Sequence, residues 1–250
     1  MPSSAETLLA DVEPIALSDV TARAALERRI DRKYIVDWHQ VAALVKTLTP
    51  THAVLEIDGR RTFGYDTEYY DSATLGSYRA HVQRRRRRFK ARVREYTDTG
   101  YRRIEVKLKG RRGETVKRWT DEPVDLLQFA RETLAREYQQ EILELSPSLT
   151  VSYRRITLVA RDSAERVTID YDLGFGACEA TLLPQFAIVE SKAASMRAAA
   201  DHALRRLKGR PVSVSKYVAG TALLSGRVPN DLRPIVRRYF SPPAHAGTAA

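Results

Sequence analysis

The sequence predicts an α+β fold, an antiparallel β-barrel surrounded by helices. Three observations carry that expectation. Short runs alternating apolar and charged residues recur along the chain, apolar residues at helical spacing occur in only a few places, and turn residues punctuate the runs. Many antiparallel strands with few helices favour a barrel or a strongly curved sheet. With no internal repeat and no long linker, a single domain is expected over residues 25–222. Residues 1–24 read as a flexible N-terminal tail, and 223–250 as a C-terminal extension of low complexity at its end.

The elements follow in order. Arg32–Val36 reads as a strand, and Asp37 caps a helix whose Trp38, Val41, Val45 and Leu48 share one stripe before Pro50. Ala53–Ile57 and Arg61–Tyr65 flank Asp58-Gly59, the dipeptide of a tight hairpin. Strands are expected at Arg87–Tyr96, Arg102–Lys109 and Glu114–Trp119, with Gly110–Gly113 as a turn. Pro123 suits a first helical turn, and Leu126, Leu127, Ala130 and Leu134 make the stripe that follows. Leu149–Ala160 and Arg166–Asp172 form another hairpin, and Phe186–Lys192 a further strand. Ser195 caps the last helix, Met196, Ala200, Ala203, Leu204 and Leu207 bury its face, and Gly209 with Pro211 stops it.

The charge narrows the partners. Forty-two Lys and Arg against thirty-one Asp and Glu leave +11, which favours an anionic partner. With Cys178 the only cysteine, neither an intrachain disulfide nor a cysteine zinc site can form. The composition excludes collagen-like, wholly disordered and membrane-embedded classes. The acidic opening MPSSAETLLADVEP lacks the basic and apolar regions of a signal peptide, so a cytoplasmic location is expected.

Strand parity places the charge. Residues two apart share a face. Arg88, Lys90, Arg92, Arg94 and Tyr96 therefore lie opposite Phe89, Ala91 and Val93. Arg103, Glu105, Lys107 and Lys109 lie opposite Ile104, Val106 and Leu108, and Arg166, Thr168 and Asp170 opposite Val167, Ile169 and Tyr171. One reading puts these charged faces in water. The other turns them inward, where like charges facing one another need a polyanion between them. A row of Arg and Lys suits phosphate, and glutamates among them suit a divalent cation.

At these strands the sequence resembles the VTC-type polyphosphate polymerase domain of the triphosphate tunnel metalloenzymes, a CYTH-like superfamily. RIDRKYIV is similar to the family's opening strand, and YDTEYYDSATLGSYRAH to its Tyr-Asp-Thr segment and helix. RVREY is similar to the Arg-x-Arg strand, IEVKLK to the Glu-x-Lys strand, and VSYRRITL with RVTID to two later Arg strands. IVESK is similar to the late Glu strand and SKYVAGTAL to the closing motif. The resemblance implies a tunnel in which Lys33, Arg92, Arg94, Lys107, Arg155, Arg166 and Lys216 contact phosphates. It implies that Glu190 binds Mn²⁺ or Mg²⁺ and that Tyr153 lies beside the transferred group, with Tyr153, Arg155 and Lys216 in catalytic positions. The implied reaction passes the γ-phosphoryl of ATP to inorganic polyphosphate, and it needs no protein nucleophile.

Departures qualify the resemblance. Arg29, Asp31 and Lys33 stand where the cyclase and thiamine-triphosphatase branch has Glu-x-Glu-x-Lys, which favours the VTC branch. Ser213 stands where eukaryotic members have a further Lys, and neither a sensor domain nor membrane helices accompany the domain. Alternatives are a non-catalytic polyphosphate or nucleotide-binding module, a tripolyphosphatase, and nucleic-acid binding through Arg84–Arg88. Nucleic acid is the least favoured partner, because the arginine run leads straight into a strand. Tyr69, Tyr70 and Tyr78 read as core rather than stacking residues. GRRGE and GFGACE read as turns, and the five histidines show no ligand spacing.

Overall fold

Asp37 ends one strand and begins one helix. Its side chain accepts from the Gln40 amide at 2.8 Å while the Gln40 side chain accepts from the Asp37 amide at 3.1 Å, a closed capping box. Such junctions run through a computed structural model that describes residues 5–23, 30–109, 115–138, 144–194 and 198–242. In chain order the elements are α1 (Ala5–Leu8), β1 (Pro14–Ile15), α2 (Leu17–Arg23), β2 (Ile30–Asp37), α3 (Trp38–Leu48), β3 (His52–Leu55) and β4 (Phe63–Asp71). There follow α4 (Gly76–Val82), β5 (Arg88–Tyr96), β6 (Tyr101–Lys109), β7 (Thr115–Thr120), α5 (Leu126–Tyr138), β8 (Ser146–Ala160) and β9 (Arg166–Phe175). The chain finishes with β10 (Ala180–Leu182), β11 (Phe186–Ala193), α6 (Ala199–Arg206), α7 (Lys216–Leu224), α8 (Arg233–Tyr239) and β12 (Phe240–Ser241). The architecture is α+β on a large, mainly antiparallel sheet.

The chain divides into two compact units. The first comprises residues up to Gly64 with Tyr153–Leu173 and Leu182–Val214, and the second Tyr65–Ser152, Gly174–Thr181 and residues from Ser215 onward. In the first unit β1 pairs β3, β3 pairs β8, and β11 pairs both β9 and β2. Its apolar core joins Tyr34 and Val36, Ile156 and Leu158, Val167 and Ile169, and Ala187 and Val189 of the strands to Val41, Leu44, Val45 and Leu48 of α3 and Ala200, Ala203 and Leu204 of α6. The stretch expected to be a tail enters this core, because Leu9 and Val12 are buried in it. Isolated apolar residues in a short segment carry no period to read, so tertiary burial decides them.

Two local expectations change. Asp58 and Gly59 do take positive φ, 50° and 74°, as a tight turn demands. Yet the turn joins only the bridge Ile57–Arg60, and β3 pairs β1 and β8 instead of forming a hairpin with β4. The cap Ser195 and the face residue Met196 offered for the last helix lie outside the described residues. The first amides of α6, at Ala199 and Ala200, donate to the two carboxylate oxygens of Glu165 at 2.9 Å each, so its cap comes from a distant loop.

In the second unit β12, β10 and one end each of β9 and β8 precede β4-β5-β6-β7 in the strand order. Phe89 and Ala91 of β5 and Ile104, Val106 and Leu108 of β6 pack on Leu126, Ala130, Leu134 and Tyr138 of α5. Pro123 falls before α5, and Asp125 caps it by accepting from the Gln128 amide at 2.9 Å. Asp71 ties three elements together. It accepts from the Ser77 and Tyr78 amides at 2.8 and 2.9 Å and from the Tyr217 hydroxyl, joining the end of β4 to α4 and α7. Gly220 of α7 has no room for a Cβ, which would collide with the Phe175 ring and come within 2.8 Å of Leu149.

The expected barrel is corrected: among the described strands the sheet is not closed. In the first unit the path ends at β1 and β2, and in the second at β12 and β7. Pro211 bridges to Tyr34 beside β2, and proline cannot donate to extend a ladder. The edge strand β7 carries Lys117, Arg118 and an exposed Trp119, the charged pattern that blunts sheet edges. No helix among the described residues is long and apolar enough to cross a membrane.

Candidate functional site

In each unit apolar strand residues that pack on helices alternate with charged ones. Register fixes who meets whom. In the second unit Lys90 faces Lys107 and Lys107 faces Lys117, while Tyr69, Arg92, Glu105 and Trp119 form the next row. Thr67, Arg94 and Arg103 form the row beyond, followed by Tyr65, Tyr96 and Tyr101.

Glu105 organises this face. It is 1% exposed and meets Arg92 Nε at 2.6 Å, Lys117 Nζ at 2.5 Å and Arg94 Nη1 at 3.8 Å. Burial alone would raise its carboxyl, but Arg92, Arg94 and Lys117 together hold it well below the ordinary range. Lys117 is drawn down to about 8 by burial, with Glu105 opposing. Arg92 also donates to the Tyr69 hydroxyl at 3.1 Å and lies 5.7 Å over that ring, and Arg94 lies 5.5 Å over Tyr65. The two arginines are therefore held in fixed orientations before any ligand arrives. His81 nearby is pulled down to about 3 by burial and by Lys90, Arg88 and Lys107, so it stays neutral at pH 7.

The first unit mixes signs more evenly. Lys33 and Glu190 face each other across β2 and β11 with Nζ 3.1 Å from Oε1, and Lys192 reaches Oε2 at 3.5 Å. Lys192 faces Asp31 on one side and Arg166 on the other. Burial draws Lys192 down to about 7; Arg155 and Arg166 push the same way, and Glu190 and Asp31 oppose. Asp170, 1% exposed, takes the Arg155 guanidinium in a bidentate pair at 2.6 and 2.9 Å, and Arg155 lies 5.3 Å over the buried Tyr153 ring. Asp170, Thr168 and Tyr153 are all buried, so this charged face is not the water-facing one of the first sequence reading.

The sequence candidates thus fall into groups. Lys33, Tyr153, Arg155, Arg166 and Glu190 gather on adjacent strands of the first unit, and Arg92, Arg94 and Lys107 on β5 and β6 of the second. Lys216 stands on a helix, at the first residue of α7 after the Ser215 cap. A cation there opposes the helix dipole, a local conflict typical of functional positions. Its neighbour Tyr217 stacks 5.0 Å from Tyr69, which holds Arg92. Sequence reasoning did not single out Lys117, Lys192, Asp170 or Tyr69 as site residues. The cross-strand pairing that gives them importance is not a property of any one segment.

The rival features have these surroundings. Tyr69 and Tyr78 are buried, and Tyr70 donates to Glu68 at 2.5 Å. Arg84 pairs with Asp231 at 3.0 Å, and Arg87 lies 5.8 Å over Tyr138 beside a cavity of about 260 Å³. GFGACE ends β9 and turns from Gly176, with positive φ at Gly176, Ala177 and Cys178, and residues 110–114 lie outside the described residues. Among the described residues no three His, Cys, Asp or Glu side chains gather as a metal cluster.

The family model of the VTC domain matches residues 28–225. The chain belongs to the VTC domain family. Among solved structures it is similar to the PH1819 protein of Pyrococcus horikoshii, at 14% identity and a TM-score of 0.45 over 79% of this chain and 97% of that one. A candidate adenylate cyclase from Bacillus halodurans matches at 13% and 0.45, covering 76% and 94%, and another from Vibrio parahaemolyticus at 15% and 0.38, covering 73% and 83%. All three TM-scores lie below 0.5, and the family assignment rests on the family model. No curated protein matches.

Proposed function

We propose that the chain transfers a phosphoryl group from ATP to inorganic polyphosphate with the help of a divalent cation. The observation that carries this reading is the preorganisation of buried or half-buried Arg and Lys around Glu105 and Asp170. Phosphoryl transfer asks a protein for placement and charge stabilisation, which such fixed cations supply. In this reading Arg92, Arg94, Lys107 and Lys216 of the second unit grip phosphate oxygens, and so, on their own face, do Lys33, Arg155 and Arg166 of the first. Tyr153, held beside Arg155, borders the transferred group. The acceptor is the terminal phosphate of the growing chain, so no side chain has to form a covalent intermediate.

Glu190 fits a cation that shares its shell with substrate phosphates. It offers hard oxygens, and Lys33 and Lys192, at 3.1 and 3.5 Å, bring phosphate to the same place. When bound, Mn²⁺ or Mg²⁺ would neutralise charge developing on the phosphoryl oxygens. Incubating the pure chain with ATP and Mn²⁺ and separating the products on a gel tests the reading. Long polyphosphate supports it. Free phosphate from tripolyphosphate without polymer would make the chain a tripolyphosphatase, and binding without turnover a non-catalytic module.

A further inference from the structure

We propose that Trp119, with Tyr101 and Arg103, forms a nucleobase platform in the second unit, seating the base of a nucleoside triphosphate whose phosphates extend onto Arg92 and Arg94. This rests on the phosphate-binding reading of those two arginines. Trp119 is 50% exposed and Tyr101 36%, although both lie within strands. Large aromatic rings left open to water beside a cationic surface mark a binding place better than a packing accident.

The platform is rigid. Arg103 lays its guanidinium 3.9 Å over the Trp119 ring and 5.3 Å over Tyr101, and donates to the Tyr101 hydroxyl at 2.8 Å. Tyr101 in turn donates to Asp121 at 2.7 Å. One face of the indole is thus backed by a cation, and the ring orientation is set before a ligand stacks, which lowers the entropy cost of binding.

Register supplies the rest. Trp119 faces Glu105, which faces Arg92, and Arg103 faces Arg94. Neighbouring strands lie about 4.8 Å apart, so Trp119 stands about 10 Å from Arg92 on the same face. That spacing suits the separation between a base and the outer phosphates of one nucleotide. Lys117, two residues from Trp119 on β7 and bound to Glu105 at 2.5 Å, places a further cation between the two ends. Inorganic polyphosphate has no ring to stack, so the platform would separate the nucleotide donor from the phosphate-chain acceptor. Stacking accepts any base, and purines bind more tightly than pyrimidines because their ring faces are larger.

Calorimetric titration of the full chain with ATP and with inorganic tripolyphosphate tests this. Trp119→Ala is expected to lose about tenfold in ATP affinity, in keeping with one stacked base, while tripolyphosphate binds within twofold of wild type. Trp119→Phe is expected to keep most of the ATP affinity. Unchanged ATP affinity in Trp119→Ala, with tripolyphosphate binding intact, overturns the platform alone. An equal loss for both ligands also overturns it, since the ring would then be supporting the sheet. If the wild type binds neither ligand, the phosphate reading falls and the platform with it. A single-stranded RNA that displaces ATP far better than free nucleotides do would assign the rings to nucleic acid instead.

Discussion

The two charged faces solve the same problem differently. In the first unit acids and bases alternate: Asp31, Glu190 and Asp170 are interleaved with Lys33, Lys192, Arg155 and Arg166 across β2, β11, β9 and β8. In the second unit Arg88, Lys90, Arg92, Arg94, Arg103, Lys107, Lys109 and Lys117 share the face of β5, β6 and β7 with Glu105. The +11 of the whole chain is therefore concentrated rather than spread. Like charges in register, such as Lys90, Lys107 and Lys117, destabilise a sheet. The second face is thus the one that an anion should relieve, and the first the one that selects geometry.

The most severe way to break this asymmetry is to remove Glu105. Glu105→Gln leaves three cations without their shared partner and should cost about 3–5 kcal/mol by denaturant unfolding. Asp170→Asn breaks the bidentate pair with Arg155 and should cost less. Tripolyphosphate should recover part of the loss in Glu105→Gln and little in Asp170→Asn. Equal losses and equal recovery would erase the distinction. The same carboxylate sets an acid limit. Its folded pKa lies below its ordinary 4.5, so its contribution is fully present above that value and fades as the pH falls below it. Acid melts of Glu105→Gln should be correspondingly flatter.

A substitution away from both faces sharpens the comparison by separating packing from charge. Gly220→Ala pushes a methyl group into Phe175 and Leu149 and should lower stability by about 1–3 kcal/mol. Its loss should not respond to tripolyphosphate more than the wild type does, whereas that of Glu105→Gln should.

The smallest effect concerns Lys117. With its ammonium drawn to about 8, raising the pH from 7 to 9 neutralises it, and tripolyphosphate affinity should fall a few-fold. Stability moves the other way, because between about 8 and 10.5 the unfolded chain holds the proton that the folded one has lost. Lys117→Met should flatten both profiles. A binding profile that keeps its inflection in the variant would move the titration to another group.

What could be read in the sequence was local. The alternation of Arg88–Tyr96 and Arg103–Lys109 placed Arg92, Arg94 and Lys107 on one face, and Asp37 announced α3 as its N-cap. What could not be read depended on partners distant in the chain. Glu105 looked like one acid among basic residues until register set it opposite Arg92. Asp170 became an anchor only through Arg155, and Glu165 a helix cap only through α6. Trp119 looked like the end of a strand, and its exposure and its Arg103 stack belong to the folded sheet. Closure failed for a related reason. Alternation specifies the faces of strands, whereas a barrel also needs its two edge strands to meet.

In the proposed reading both charged faces bind phosphate. Calorimetric titration of tripolyphosphate into the wild type, Arg92→Ala and Arg155→Ala, repeated at two salt concentrations, tests it most directly. Each arginine is expected to contribute about 1.5–3 kcal/mol through charged hydrogen bonds, so either variant should bind at least tenfold more weakly. Wild-type affinity should also fall as salt rises. Tripolyphosphate affinity that is the same in all three proteins and indifferent to salt would contradict the claim.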